Sequence, residues 1–409
     1  MGRTERMRRN KLLKVQSSHD CSDIINLQKS IKLKCKHLKI GFFNDTGRGV
    51  KCRKKLEKGD LLIALPLNLL ITPTSQSDAY KFLNDENIVD PQLRLSIFLM
   101  YENHLKNDSK YFNYIQTLPQ SYSNVYFCTD SEIQLLPDLI KKLVVKQKTD
   151  LEFLFEKLQN NLNDEICSHC DKSIKKLYNR YEFIWAWFTV NTRSVYYEDK
   201  SMRKKSLALA PFLDMFNHSS DANTKMYIDF NNELYILKTL NSFRKHQQIF
   251  IKYGPHSNLK LLIEYGFIIP CNHYDFIEFS FDDVITSARE INSEFGNLSK
   301  LKWNLLQKNH LNKNLLINLD GFSWNFNSLL YLIVTRDVDV SLIKSKIYSN
   351  ELNLVEFTSV KKIKELIIRK KSIEFLSALD KMNVLNDTTI SYETVKQLLK
   401  IYINLLQKI

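Results

Sequence analysis

The residues best suited to chemistry cluster in three short stretches. Leu209-Ala210-Pro211-Phe212-Leu213 runs apolar, then the chain delivers Asp214, Asn217 and His218 within five residues. Asn and His side chains together offer the donors and acceptors that a polar ligand such as an adenine ring or an amino-acid group needs. The same pair also suits a helix cap or a satisfied buried contact. One imidazole and one carboxylate are too few for a metal. A Tyr-Gly step occurs twice, at Tyr253-Gly254 and Tyr265-Gly266. A phenol beside open backbone can orient a substrate amine or a cofactor, and a structural tyrosine before a turn is the plainer alternative. Asp45-Thr46-Gly47-Arg48-Gly49-Val50 sets two glycines one residue apart before a strand. Their backbone groups can touch a ligand directly, or simply form a turn. The stretch lacks the Gly-Lys-Ser/Thr of a nucleotide loop and does not complete a dinucleotide fingerprint.

Cys167-Ser168-His169-Cys170 has zinc-like spacing. A closed site needs four ligands, and no partner pair stands nearby in the sequence, so no metal is expected. No serine-nucleophile elbow, His-Glu-x-x-His or kinase signature is present.

Strands and helices must position these groups. From Gly41 the texture is strand-like: Val50 and Cys52 alternate with Lys51 and Arg53, and Gly59-Asp60 turns the chain into Leu61–Leu65, which Pro66 stops. From Asp90 the period is helical, with Asp90 as cap, Pro91 at the first position, and Leu93, Ile97, Phe98, Tyr101 and Leu105 on one face. Residues 131–190 continue helically, with stripes Leu135, Leu139, Leu143 and Leu151, Phe155, Leu158, and an almost wholly apolar Phe183–Val190. Strand-like runs return between Thr224 and Lys252 and at Ile277–Phe281. After about residue 285 the chain reads as helical to its end. There Val395, Leu398, Leu399, Tyr402, Leu405, Leu406 and Ile409 form one stripe, with Ser391 as its cap. The expected class is α+β: a basic tail over 1–39, a β-rich domain over 40–284 split by a helical insertion at about 76–190, and an all-helical lobe over 285–409.

Composition bounds the function. Nine glycines in 409 residues is about 2%, against roughly 7% on average, so each glycine position is informative. With 19 Tyr, 24 Phe and 44% hydrophobic residues the chain can bury a substantial core, which excludes collagen-like or chain-wide disordered character. The longest apolar run, Leu61–Ile71, is interrupted by Pro66 and Asn68, so no membrane partner is expected. The charged start carries no apolar signal segment, and seven scattered cysteines read as reduced thiols. Nucleus and cytosol are the expected compartments. Residues 1–40 hold eleven Lys/Arg against three Asp/Glu, a net +8 of the chain's +14. The run Arg3, Arg6, Arg8, Arg9, Lys11, Lys14 reads as an import signal, a nucleic-acid contact or a solvated tail. The rest is only modestly basic, which argues against wholesale coating of nucleic acid.

Taken together, Gly47-Arg48-Gly49, Asp214-x-x-Asn217-His218-Ser219, Tyr253-Gly254-x-x-x-Asn258 and Glu264-Tyr265-Gly266-Phe267 resemble a SET-domain methyltransferase of the Rubisco large-subunit lysine methyltransferase branch. Within that branch the likeness extends to Trp185-Ala186-Trp187 through Arg193, and it spans roughly residues 1–12 and 40–270. The resemblance implies S-adenosylmethionine as cofactor and a lysine-bearing protein, histone or other, as substrate, with the enzyme a monomer. It implies that the backbone of Gly47, Arg48 and Gly49 cradles the methionine end. Arg193 would lie near the cofactor's carboxylate with Asp214 in support. Asn217 and His218 would hold the adenosine, with Phe267 packed on the adenine. Tyr253 takes the place of the catalytic tyrosine and would also touch the cofactor, and Tyr265 would line the lysine channel. Thr46 departs from the pattern, because many relatives carry Glu there. Two other readings stay open: a non-catalytic SET-fold module that binds peptide or nucleic acid, and a methyltransferase acting on protein histidine.

Overall fold

The computed structural model describes residues 22–31, 35–75, 78–83, 90–199, 204–335, 344–345, 348 and 352–409. The basic run Arg3–Lys14 lies outside the described residues. A helix, Ser22–Ser30, lies within the stretch read as tail, with Ile24 and Leu27 buried.

The strands of the first half are β1 (Leu38–Phe43), β2 (Gly47–Cys52) and β3 (Leu61–Pro66); after the helical insertion come β4 (Ser194–Asp199), β5 (Lys204–Leu209), β6 (Asn217–His218), β7 (Thr224–Asp229), β8 (Leu234–Thr239) and β9 (Phe250–Ile251). β1 and β2 form an antiparallel hairpin, and β4 pairs with β5 in the same way. β3 joins β8 and β7 in one antiparallel sheet, in the order β3-β8-β7. Two β segments separated by the whole insertion therefore share one sheet. The pattern explains the pairing: Leu62, Ile63 and Leu65 on β3 and Tyr235, Ile236 and Leu237 on β8 are all buried, so each strand needs a covered face on both sides.

The insertion opens with the helix Pro91–Leu105, where the Asp90 carboxylate accepts from the Leu93 amide at 2.7 Å and Pro91 occupies the first turn. It closes with Arg180–Arg193, capped by Asn179 and burying Phe183, Ile184, Ala186, Phe188 and Val190. Between them the expected stripe Leu135, Leu139, Leu143 is displaced by one position. Leu136, Ile140 and Val144 are buried, whereas Leu139 is 51% exposed. One helix ends at Leu135 and the next starts at Asp138 around Pro137, yet the buried face runs on through the break from Ile133 and Leu136 to Ile140 and Val144, with Leu135 and Leu143 only partly buried at its edge. Leu151 and Leu158 are buried as expected.

The chain divides into two compact units, residues 1–122 with 146–255, and residues 123–145 with 256–409. The sequence places the start of the helical lobe at 285; the division falls after Pro255, because Ile277, Phe279 and Val284 belong to the same buried cluster as Phe326, Ile363 and Leu398. Among the described residues, five helices dominate that unit after residue 280, from Phe281–Ile291 to Ile390–Leu406. Between them β11 (Leu316–Asn318) and β12 (Gly321–Phe322) form a small hairpin with β10 (Ile277–Glu278), which helical periodicity does not signal. The last helix is capped by Thr389, not Ser391: the Thr389 hydroxyl accepts from the Tyr392 amide, and Ser391 donates to the Ser123 and Asn124 carbonyls. The stripe from Val395 to Leu406 is buried, and Ile409 is exposed.

Candidate active site

Arg193 ends the helix Arg180–Arg193 and faces Asp214. Its Nη1 lies 3.1 Å from Asp214 Oδ2 and donates to the Asp214 carbonyl at 3.2 Å, and the Asp214 side chain is fully buried. The Tyr114 hydroxyl donates to the same Oδ2 at 3.1 Å. Burial is the largest single influence on Arg193 and opposes its charge, but the Asp214 carboxylate, the Tyr122 and Tyr114 phenols and the hydrogen bond to Asp214 together outweigh it and raise the guanidinium above its ordinary range. Burial, and then the Asp214 charge, push the Tyr114 phenol well up. The apolar run delivers Asp214 abruptly because Phe212, itself buried, takes a left-handed φ of 73°. That conformation costs a bulky residue about 1–2 kcal/mol and clusters at functional sites.

Asn217 and His218 form β6, which runs parallel to β9 with Asn217 opposite Phe250 and His218 opposite Ile251. The Asn217 amide Nδ2 donates to the Arg48 carbonyl at 3.0 Å. Gly49 permits this approach, since a Cβ there would fall 2.7 Å from that nitrogen. Beside it, the Thr46 hydroxyl exchanges two 2.9 Å hydrogen bonds with the Gln248 side chain. The Arg48 guanidinium turns elsewhere, to Asp23 at 3.3 Å and to the Thr117 carbonyl. What Gly47, Arg48 and Gly49 present to a ligand is therefore main chain.

His218 Nδ1 accepts from the Tyr253 amide at 3.1 Å, and the two rings stack at 5.0 Å and 24°. With Nδ1 an acceptor, the proton of the neutral ring sits on Nε2. The Tyr253 hydroxyl donates to the Phe216 carbonyl at 2.7 Å. That bond occupies the phenol proton, so what the oxygen can offer a ligand is an acceptor.

Gly47, Arg48, Gly49, Arg193, Asp214, Asn217, His218 and Tyr253 thus all lie in the first unit, where direct contacts join Arg193 to Asp214, Asn217 to the backbone at 48–49, and His218 to Tyr253. Tyr265 and Phe267 belong to the second unit, where their rings meet edge to face at 6.2 Å and His256 stacks on Tyr265 at 5.9 Å. Tyr265 ends a π-helical turn, Leu261–Tyr265, closed by Gly266 in the left-handed conformation with φ 77°. Sequence reasoning missed Tyr114, Gln248 and Tyr122, whose hydroxyl donates to Thr189 at 2.7 Å. Tyr114 and Tyr122 sit in unremarkable helix and loop sequence, and nothing in their spacing marks them. Gln248 alone carried a signal, as a polar residue just before the apolar pair Ile249-Phe250.

A cofactor with a cationic amino-acid end fits the first unit on two observations. Asp214 Oδ1 is buried and makes no hydrogen bond among the described residues, so it can take a donor from a ligand. The glycine-lined main chain at 47–49 supplies backbone groups beside Asn217.

Comparison with known proteins agrees with this geometry. The family model described as SET domain matches residues 47–254. SET domain-containing protein 4 of Artemia parthenogenetica is 31% identical over 344 residues, 82% of this chain and 83% of that protein. The ribosomal lysine N-methyltransferase set11 of Schizosaccharomyces pombe is 29% identical over 239 residues, 58% of this chain and 57% of that protein. A solved structure of Rubisco LSMT bound to AdoMet superposes with a TM-score of 0.58 at 18% identity, covering 94% of this chain and 92% of that one, and so shares the fold. With the glycine pair, the Asn217-His218 strand and Tyr253 all falling inside the matched segment, the chain belongs to the SET-domain family.

Proposed function

We propose that this protein is an S-adenosylmethionine-dependent protein-lysine N-methyltransferase. The observation that carries the reading is Tyr253, whose hydroxyl proton is given to the Phe216 carbonyl and whose ring is stacked on His218. Its oxygen then accepts an N–H of the substrate amine and aims the nitrogen lone pair. Bound S-adenosylmethionine supplies the methyl group, carried on a sulfonium. The main chain of Gly47, Arg48 and Gly49, the Asn217 and His218 segment, and the Arg193–Asp214 pair would hold it. No metal takes part in that displacement.

The nucleophile must be a neutral amine. Free lysine, with a pKa near 10.4, is neutral only about once in 10³ at pH 7, which costs roughly 4–5 kcal/mol. A desolvating channel and a nearby positive charge lower that cost by favouring loss of the proton to water. Tyr253 therefore works by orientation and proximity, not as a strong base.

Histones or other lysine-bearing proteins are the substrates we infer, in the nucleus and the cytosol. The support is the basic run Arg3–Lys14, which suits an import signal and an electrostatic contact with nucleic acid.

The test is calorimetric titration with S-adenosylmethionine, followed by amino-acid analysis of proteins labelled from methyl-labelled cofactor. Saturable binding and labelled methyllysine are expected. No binding below about millimolar, or label recovered as methylhistidine, would overturn the reading.

A further inference from the structure

Cys167 and Cys170 are not alone in the folded chain. His104, on the last turn of Pro91–Leu105, reaches them from more than sixty positions upstream. One ligand atom from each of the three residues lies within 4.8 Å of the others, and His104 Nε2 is 3.4 Å from Cys167 Sγ. A tetrahedral zinc ion with Zn–S near 2.3 Å and Zn–N near 2.0 Å sets its sulfur and nitrogen ligands about 3.5 Å apart. The observed spacing is already that edge of a tetrahedron.

The turn that carries the cysteines is built to bring both thiols together. Ile166 bridges Ser173 across an antiparallel hairpin, and the Cys167 amide donates to the Lys172 carbonyl at 2.8 Å. Within the loop the Cys170 and Asp171 amides both donate to the Cys167 carbonyl, at 3.3 and 2.8 Å. Asp171 closes the turn at a left-handed φ of 56°. Cys167 is buried at 2% exposure.

His169 rises from the same turn. Its ring stands edge to face with His104 at 5.6 Å, and its Nδ1 lies 3.4 Å from Asp108 Oδ2. With Nδ1 turned to a carboxylate, Nε2 is the nitrogen left for a metal, the arrangement that orients many metal-bound imidazoles. The His169 side chain is 36% exposed, which leaves it room to swing onto the ion.

We propose that His104, Cys167, Cys170 and His169 form a structural zinc site in the helical insertion. Two thiolates and two neutral imidazoles balance the ion's double charge, and a tetrahedral set of two sulfurs and two nitrogens selects zinc. Binding forms two Zn–S and two Zn–N bonds, and each thiol releases its proton to solvent. The ion staples the segment after Asp138–Asn160 to the end of Pro91–Leu105. That helix in turn holds Arg180–Arg193 through Asn103 Nδ2 and Glu182 Oε2 at 3.1 Å, and Arg193 is the partner of Asp214. The ion thus steadies the element that delivers Arg193, without touching substrate.

The test uses the full chain, produced with zinc in the medium and purified without chelator, and measures metal by mass spectrometry. About one zinc per chain is expected, lost in Cys167→Ser, Cys170→Ser and His104→Ala but kept in Cys271→Ser, whose thiol is exposed elsewhere. Cobalt added to chelator-treated wild-type protein should give a thiolate charge-transfer band and the visible bands of a tetrahedral ion. His169→Ala should keep the thiolate band and weaken cobalt binding. Because the cysteine variants could fail to fold, the melting temperature of the wild type is also followed: it should fall on chelation and recover with zinc. A metal-free protein, zinc retained when Cys167→Ser and Cys170→Ser are combined, or a Cys167–Cys170 disulfide in the isolated protein would overturn the site.

Discussion

Arg193 and Asp214 form a buried ion pair at 3.1 Å, with the Asp214 side chain wholly inaccessible and that of Arg193 18% exposed. The pair ties the end of the last insertion helix to the turn that leads into Asn217 and His218. Arg193 also places its positive charge where the carbonyls of its helix point, a favourable end for a cation.

Removing the carboxylate strands a buried charge. Asp214→Ala should destabilise the protein by about 3–5 kcal/mol, read as a shift in the urea unfolding curve. Tyr114→Phe, which removes only one hydrogen bond to a charged group, should cost about 1.5–3 kcal/mol. The two losses should not add, because both partners share Oδ2. Full additivity in a double-mutant cycle would contradict the shared contact.

Gly49→Ala tests the link between the 47–49 backbone and Asn217. The new methyl would fall 2.7 Å from Asn217 Nδ2 and force that side chain off the Arg48 carbonyl. S-adenosylmethionine affinity should drop by roughly tenfold or more, about 1.4 kcal/mol. Unchanged affinity by calorimetry would separate Asn217 from cofactor binding.

Gly266 is constrained differently. A Cβ there would sit 2.7 Å from the Ser123 carbonyl carbon and 2.8 Å from the Asn124 nitrogen, at φ 77°. Left-handed strain and overpacking together predict that Gly266→Ala destabilises by about 2–4 kcal/mol. Thermal melting is the readout, and a wild-type melting temperature would rule out the close approach.

His256 has a pH signature. Burial, and then the charge of Lys260, lower its pKa below the ordinary histidine value. The folded state therefore binds fewer protons than the unfolded chain between the two values, so this group's stability contribution is complete above the ordinary value and lost as pH falls through the depressed one. The His256 ring resonances should titrate below the ordinary midpoint near 6.5. His256→Gln should flatten the acid limb of the stability curve; an ordinary or raised midpoint would refute the shift.

Most of the architecture was legible because burial imposes period. The Asp90-Pro91 start and the Phe183–Val190 core follow from apolar spacing and capping chemistry, whereas spacing shows only two separate β segments and the family resemblance is what joins them into one domain. The failures have local causes. The leucines at 135, 139 and 143 stand one position off the buried face of Leu136, Ile140 and Val144 and mask it, and a hairpin with strands of three and two residues at 316–322 is too short to show a period. Within the site, glycines and the Asn217-His218 pair stood out by type, whereas Tyr114 and Tyr122 act through contacts that only folding creates. His104 is the same case: its cysteine partners lie in a separate loop, so linear spacing offered no fourth ligand.

The central claim rests on Tyr253, and one measurement addresses it directly: the rate of methyl transfer from labelled S-adenosylmethionine to lysine in cell extract, wild type against Tyr253→Phe, with cofactor affinity measured in parallel. The variant keeps the ring that stacks on His218 and loses the oxygen that orients the amine. The rate should fall about 100-fold or more, while cofactor binding persists. Equal methyllysine formation by both proteins would show that Tyr253 does not position the substrate amine.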